Sequence, residues 1–146
     1  MSLNPKRLRP MPFARLNEAQ SVHNRMVRST AEQLVREGFE VFADHIGWSG
    51  GTPIEVDGYR PDIIAIKNRQ MYLLEVETMD SYNKEHCISQ ISAFSKALPE
   101  THVILPAGYM STQYAIPYLK YTMAKRNISA HIGTCNLLTR HTDFRL

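Results

Sequence analysis

Apolar residues along this chain change period several times, and each change marks an element. Over residues 16–37, Leu16, Ala19, Met26, Val27 and Leu34 recur at helical spacing, and Gly38 follows as a C′ residue should. His23 falls in the middle of that apolar stripe. Residues 39–43, Phe-Glu-Val-Phe-Ala, read as a strand. A Gly-rich loop follows, Gly47-Trp48-Ser49-Gly50-Gly51, and residues 54–57 read as a short strand turned by Gly58. Two β-branched-rich runs come next, 60–66 and 71–78, split by Lys67-Asn68-Arg69-Gln70. That is a hairpin signal. Ile64, Ile66, Met71 and Leu73 lie to one side of it, and Ile63, Ala65, Tyr72, Leu74 and Val76 to the other. Strands apolar on both faces belong inside a covered sheet.

After Thr78 the period returns to that of a helix. Asp80 or Ser81 is placed to cap it, Cys87, Ile88, Ile91, Phe94 and Leu98 make its buried face, and Pro99 stops it. Residues 101–107, centred on Val103-Ile104-Leu105, form a strand. A further helix covers roughly 111–126, with Pro117 as an alternative first-turn residue. The last strand is 128–135, and Arg140, His141 and Arg145 follow as a basic tail. The order is α-β-β-β-α-β-α-β. The helical crossover before 101–107 permits parallel pairing. An α/β fold is expected, with a mixed central sheet and helices on both faces.

The hairpin sets the candidate chemistry. With a symmetric turn, Ile66 faces Met71 and Asp62 faces Glu75. Directly opposed residues have Cβ atoms about 5 Å apart. Glu77, two residues on, returns to the same face. Three acids at the end of an apolar strand pair repel, at a cost that a cation among them would relieve. Hard oxygen donors suit Mg²⁺ or Mn²⁺. Solvated strand-end acids are the plainer alternative, and the covered setting of both strands weighs against it.

Pro61-Asp62 followed by Glu75-Val76-Glu77 on the next strand resembles the signature of the PD-(D/E)XK nuclease superfamily, which includes restriction endonucleases, archaeal Holliday junction resolvases and RecB-type nucleases. The resemblance runs from the helix holding His23 to the strand near Ile132, and the order of elements supports it separately from the acids. It implies a restriction endonuclease-like core and Mg²⁺- or Mn²⁺-dependent hydrolysis of DNA. By resemblance, Asp62, Glu75 and the carbonyl of Val76 would hold the metal. Glu77 would hold a second metal or act as general base. The family usually has lysine where this chain has Glu77, although some restriction enzymes carry glutamate. Lys84, at the start of the next helix, is a candidate for a displaced lysine; a solvated lysine beside Glu85 is the alternative. Glu77 could likewise be a surface acid paired with Arg60. Gln90 and Phe94 look like the Gln-x-x-x-Tyr motif of RecB-type members with Phe for Tyr, and a core role for Phe94 needs no motif. Ser49 resembles the serine loop of the junction resolvases, which can reach a backbone phosphate. Two readings stand for His23: a satisfied core histidine, or the polar active-site residue that the superfamily often carries on its first helix.

Composition narrows the rest. At 146 residues the chain is one domain's worth, and 43% hydrophobic content is enough for a core and too much for disorder. No apolar run approaches the ~20 residues of a membrane span. The N-terminus lacks an apolar h-region, so no signal peptide is expected. Cys87 and Cys135 stand far apart, which suggests free thiols and a cytoplasmic setting. A net charge of +3 and a pI near 9.0 permit a nucleic-acid partner without requiring one. Residues 1–15 hold Lys6, Arg7, Arg9 and Arg15 with no acid, and their three prolines argue against a helix. They are expected to form a basic arm ahead of a single domain at 16–146, either solvated or lying along DNA phosphates. Arg60 and Gln90 are further DNA-contact candidates. The leading expectation is a metal-dependent DNA endonuclease, acting as a homodimer if it cuts both strands. Its rivals are a Holliday junction resolvase and a catalytically inactive nucleic-acid-binding module on the same fold.

Overall fold

The computed structural model describes residues 10–144, with side chains from residue 18 onward. Helix α1 is Pro10–Arg36. It therefore reaches back into the stretch expected to be a non-helical arm. Pro10 and Pro12 fall in its first turn, where backbone N–H groups have no intrahelical partner, so proline loses nothing there. Lys6, Arg7 and Arg9 lie outside the described residues. At the other end Gly38, at φ 94°, closes the helix. Its N–H donates to the Val35 carbonyl and that of Phe39 to Leu34, the two bonds of a Schellman motif.

Strand β1 (Glu40–Ala43) leads through the Gly-rich loop to β2 (Ile63–Lys67) and β3 (Gln70–Val76). Helix α2 (Glu85–Ala97), strand β4 (Thr101–Pro106), helix α3 (Ile116–Lys125), β5 (His131–Asn136) and β6 (His141–Asp143) follow among the described residues. A π-helical turn, Ser111–Ala115, leads into α3. The six strands lie in sequence order in one sheet. β3, β4 and β5 run parallel, and the other neighbours pair antiparallel. The α/β class, the element order and the mixed sheet agree with the sequence expectation.

The hairpin has Ile66 opposite Met71 and Ile63 opposite Leu74. Asn68 and Arg69 both adopt positive φ, 53° and 66°, as a two-residue type I′ turn demands. Three further expectations are corrected. Residues 54–57 form no strand; Val56 only bridges Tyr59 around the Asp57-Gly58 turn. Helix α2 is not capped by Asp80 or Ser81 but begins at Glu85, because the Ser81 hydroxyl is already engaged with Glu77. The basic tail is in part a sixth strand. The Gln33 side chain explains it: its Oε1 accepts from the Thr142 N–H at 2.7 Å and its Nε2 donates to the Thr142 carbonyl at 2.9 Å. An amide on α1 thus completes the outer edge of β6. Gly133 on β5 makes the approach possible, since a Cβ there would collide with the Asp143 carbonyl. Arg145 lies outside the described residues.

Helix α1 covers one face of the sheet, packing Met26, Val27, Ala31 and Leu34 on Val41, Ile63, Ala65, Leu74 and Val76. Helices α2 and α3 cover the other, with Ile88, Ile91, Leu119 and Met123 on Val103, Leu105 and Ile132. Phe94 fills the remaining space against Ile64 and Leu73. Cys87 and Cys135 are free and buried. Among the described residues, no helix is long and apolar enough to cross a membrane. This arrangement puts the start of β2 beside the ends of β1 and β3, between α1 and α2.

Candidate active site

One step past Ile63 and Leu74, the last pair of the β2–β3 ladder, Asp62 comes beside Glu75. The Asp62 N–H donates to Glu75 Oε1 at 2.9 Å, and the Val76 N–H donates to Asp62 Oδ2 at 2.8 Å. Two carboxylates thereby stand in for backbone carbonyls where the ladder ends. α1 then delivers His23, whose Nε2 lies 3.1 Å from Asp62 Oδ2. β1 delivers a second imidazole. Ala43 faces Ile63, and the Asp44 N–H donates to the Asp62 carbonyl at 2.9 Å. His45, at φ 71°, turns Nε2 to 3.5 Å from Asp62 Oδ1. The two imidazoles meet edge to face, with centroids 5.2 Å apart. Glu77 accepts a 2.7 Å hydrogen bond from Ser81 Oγ.

All three acids are buried, at 4–6% exposure, so their charges are not diluted by water. Burial works against the ionised form of Asp62, but His23, His45 and the Val76 N–H outweigh it and hold its pKa below the ordinary value. For Glu75 the Asp62 N–H is the one restraint, and it is outweighed. Burial, then the charges of Asp62 and Glu77, push Glu75 well above the usual carboxylate range. Burial also raises Glu77, against hydrogen bonds from Ser81 and Cys87. For His23, burial opposes the charge; hydrogen bonds to Asp62 and Asn24 and the charges of Asp62 and Glu77 prevail and raise it to about 9. His45 is raised mainly by its hydrogen bond to Asp62. The Cys87 thiol is pushed up by burial and by Glu77, so it is a neutral hydrogen-bond donor and no nucleophile.

These residues line an open cleft of about 610 Å³. Of the sequence candidates, His23, Arg60, Asp62, Glu75, Val76, Glu77, Lys84 and Gln90 all border it. Arg60 and Glu77 use other partners than each other: the Arg60 guanidinium donates to the Pro53 carbonyl, and Glu77 takes Ser81. Glu85 is held by Arg126 in a two-pronged pair at 2.8 and 3.0 Å. Ser49 is exposed and does not border the cleft; its loop folds back through Trp48, which donates to the Val41 carbonyl at 2.9 Å. Phe94 is core. Sequence reading missed His45, Asp44 and Ser81. The first two had a signal, since Asp44-His45 directly follows a strand that pairs with β2.

The donor set suits a divalent cation. Three buried carboxylates share one wall, and the charge repulsion that adds to burial in raising Glu75 would be relieved by a cation between them. His23, His45 and Asp62 bring ligand atoms within 4.8 Å of one another. Imidazole is a softer donor than the carboxylates of Glu75 and Glu77, so the two sides of Asp62 differ in the ions they favour.

No family model matches the sequence, and no curated protein matches it. Among solved structures, the chain is similar to the crystal structure of an XisH family protein from Nostoc punctiforme PCC 73102. The TM-score is 0.50 at 14% identity, covering 82% of this chain and 96% of that one. At that identity the two share a fold.

Proposed function

We propose that the protein is a divalent-metal-dependent DNA endonuclease of the PD-(D/E)XK type, hydrolysing phosphodiester bonds with Mg²⁺ or Mn²⁺. The observation that carries this reading is the buried pair Asp62 and Glu75, joined across β2 and β3 and backed by Glu77 in one cleft. Such a charge cluster costs stability and needs a reason. Asp62 and Glu75 would hold the ion, with the Val76 carbonyl beside them and Glu77 within the same wall. Bound there, it would supply an acidified water and a clamp on a non-bridging phosphate oxygen.

The chain's own residues supply the rest. His23 holds a proton against Asp62 in the metal-free state. A cation sharing the charge of Asp62 would weaken that hold and would leave His23 neutral, able to serve as a base at the cleft wall. Lys84 and Arg60 border the cleft and offer positive charge to the phosphates that flank the cut. Lys84 takes the part of the lysine that Glu77 replaces. Cutting both strands of a duplex with one such site per chain calls for a homodimer.

The test is cleavage of linear duplex, single-stranded and four-way-junction DNA with Mg²⁺, Mn²⁺ or Ca²⁺. Cleavage should require Mg²⁺ or Mn²⁺ and be lost in both Asp62→Ala and Glu75→Ala. Cleavage by both variants at the wild-type rate would place the chemistry elsewhere. Preference for the four-way junction would favour a resolvase.

A further inference from the structure

We propose that Glu100, His102 and His131 form a second metal site, for a zinc-class divalent ion, away from the cleft and independent of the nuclease reading. Glu100 ends the connection into β4, His102 is the second residue of β4, and His131 opens β5. His102 and His131 are direct partners in the parallel β4–β5 pairing. Neighbours in a sheet share a face, and here the two rings stack, with centroids 4.8 Å apart and planes 29° from parallel. His102 Nε2 lies 3.3 Å from Glu100 Oε2, and His131 Nε2 lies 3.8 Å from the same oxygen. The three ligand atoms fall within 4.8 Å of one another. Tetrahedral zinc with bonds of about 2.0–2.1 Å sets its ligands about 3.4 Å apart. The observed spacings bracket that value, so modest side-chain rotation would close the set.

Protein contacts alone account poorly for the arrangement. One carboxylate oxygen serves two imidazoles. Two imidazoles and a carboxylate are a zinc-type donor set, unlike the carboxylates of Glu75 and Glu77. Three protein ligands leave a position for water, and His131 is half exposed, so an ion can enter. His102 sits by Leu34 and Phe39, near the end of α1. His23 lies eleven residues earlier on that helix, about 16 Å away along its axis.

Because His23 and His45 could also attract zinc, the test uses the full chain carrying Asp62→Asn. Zn²⁺ affinity is read by competition with a chromophoric chelator, and Co²⁺ substitution reports geometry through its visible absorption. The Asp62→Asn chain should bind one Co²⁺ with a tetrahedral-type spectrum. Adding Glu100→Gln or His131→Asn should weaken Zn²⁺ by about tenfold or more and erase that spectrum. Both side chains reach solvent, and circular dichroism checks that the fold survives. Absence of Zn²⁺ binding in Asp62→Asn, or equal affinity with and without Glu100→Gln and His131→Asn, would overturn the site. Failure of the nuclease assay would leave it standing.

Discussion

His23→Gln should change how stability depends on pH in the metal-free protein. The His23 ring is held against a buried carboxylate, and its pKa rises from 6.5 to about 9. That rise corresponds to roughly 3 kcal/mol of folding stability. The side chain is only 15% exposed, so solvent screening takes little from this figure. The lowered pKa of Asp62 reports the same contact, and the energy is counted once. The sign follows from the direction. A raised histidine pKa contributes its full stability below 6.5, loses it as pH rises, and contributes none above about 9. Urea unfolding in EDTA at pH 6 and pH 9.5 measures it. Wild type should lose about 3 kcal/mol more than His23→Gln over that interval, or about 1.5 M in midpoint at a slope of about 2 kcal/mol/M. At pH 6 the variant should be the less stable, because Asp62 keeps a buried charge with one imidazole, His45, beside it instead of two. Mg²⁺ should return the His23 pKa toward its ordinary value, read by NMR of the ring protons. Parallel pH profiles for wild type and variant would refute the ion pair as an energetic unit.

Two further predictions concern the acids. Glu75→Gln keeps an oxygen for the Asp62 N–H and removes a carboxyl whose folded pKa is raised, so it should stabilise the metal-free protein increasingly as pH rises above 4.5, by at most about 1.4 kcal/mol per pH unit; equal unfolding midpoints for the two chains from pH 5 to pH 7 would contradict the crowding of charge around Glu75. For DNA, Ca²⁺ should raise wild-type affinity in a gel-shift titration, while Asp62→Asn should bind DNA better without metal and gain less from Ca²⁺; an equal gain would remove Asp62 from the ion's ligands.

The acids were legible because the hairpin is governed by local rules. A two-residue turn fixes the register, period-2 alternation fixes the faces, and from these Asp62 must meet Glu75. The helical stripe similarly placed His23 on the inner side of α1, though periodicity could not tell which strand end it would reach. His45 was hidden for another reason. Its aim depends on a left-handed backbone in a loop, and a period carries no information there. The sixth strand was hidden because three residues show no usable alternation. What makes it a strand is Gln33, more than 100 residues away in sequence, together with the room left by Gly133. The start of α2 was misplaced because Ser81 has two possible uses, capping a helix or holding Glu77, and sequence cannot rank them.

The polar groups around the cleft make sense as one electrostatic arrangement. Asp62 is kept ionised by His23 and His45; Glu77 is restrained by Ser81 and Cys87; Glu75, with the Asp62 N–H against it, yields to burial and its neighbours' charge. A site built only for stability would replace this cluster with apolar side chains at similar volume. Here two of the acids instead keep a partner that can be given up: the His23 proton against Asp62 and the Ser81 hydroxyl on Glu77. Binding a divalent ion would exchange those partners for the ion and release protons as it does so. Ion affinity should therefore increase with pH across the range in which Glu75 and His23 deprotonate. Below about pH 9 the same exchange would leave His23 neutral when the ion is in place, which ties the appearance of a base to the presence of the group that acidifies water. On the proposed reading, the buried charge that weakens the metal-free fold is also what keeps the site inactive until it is loaded.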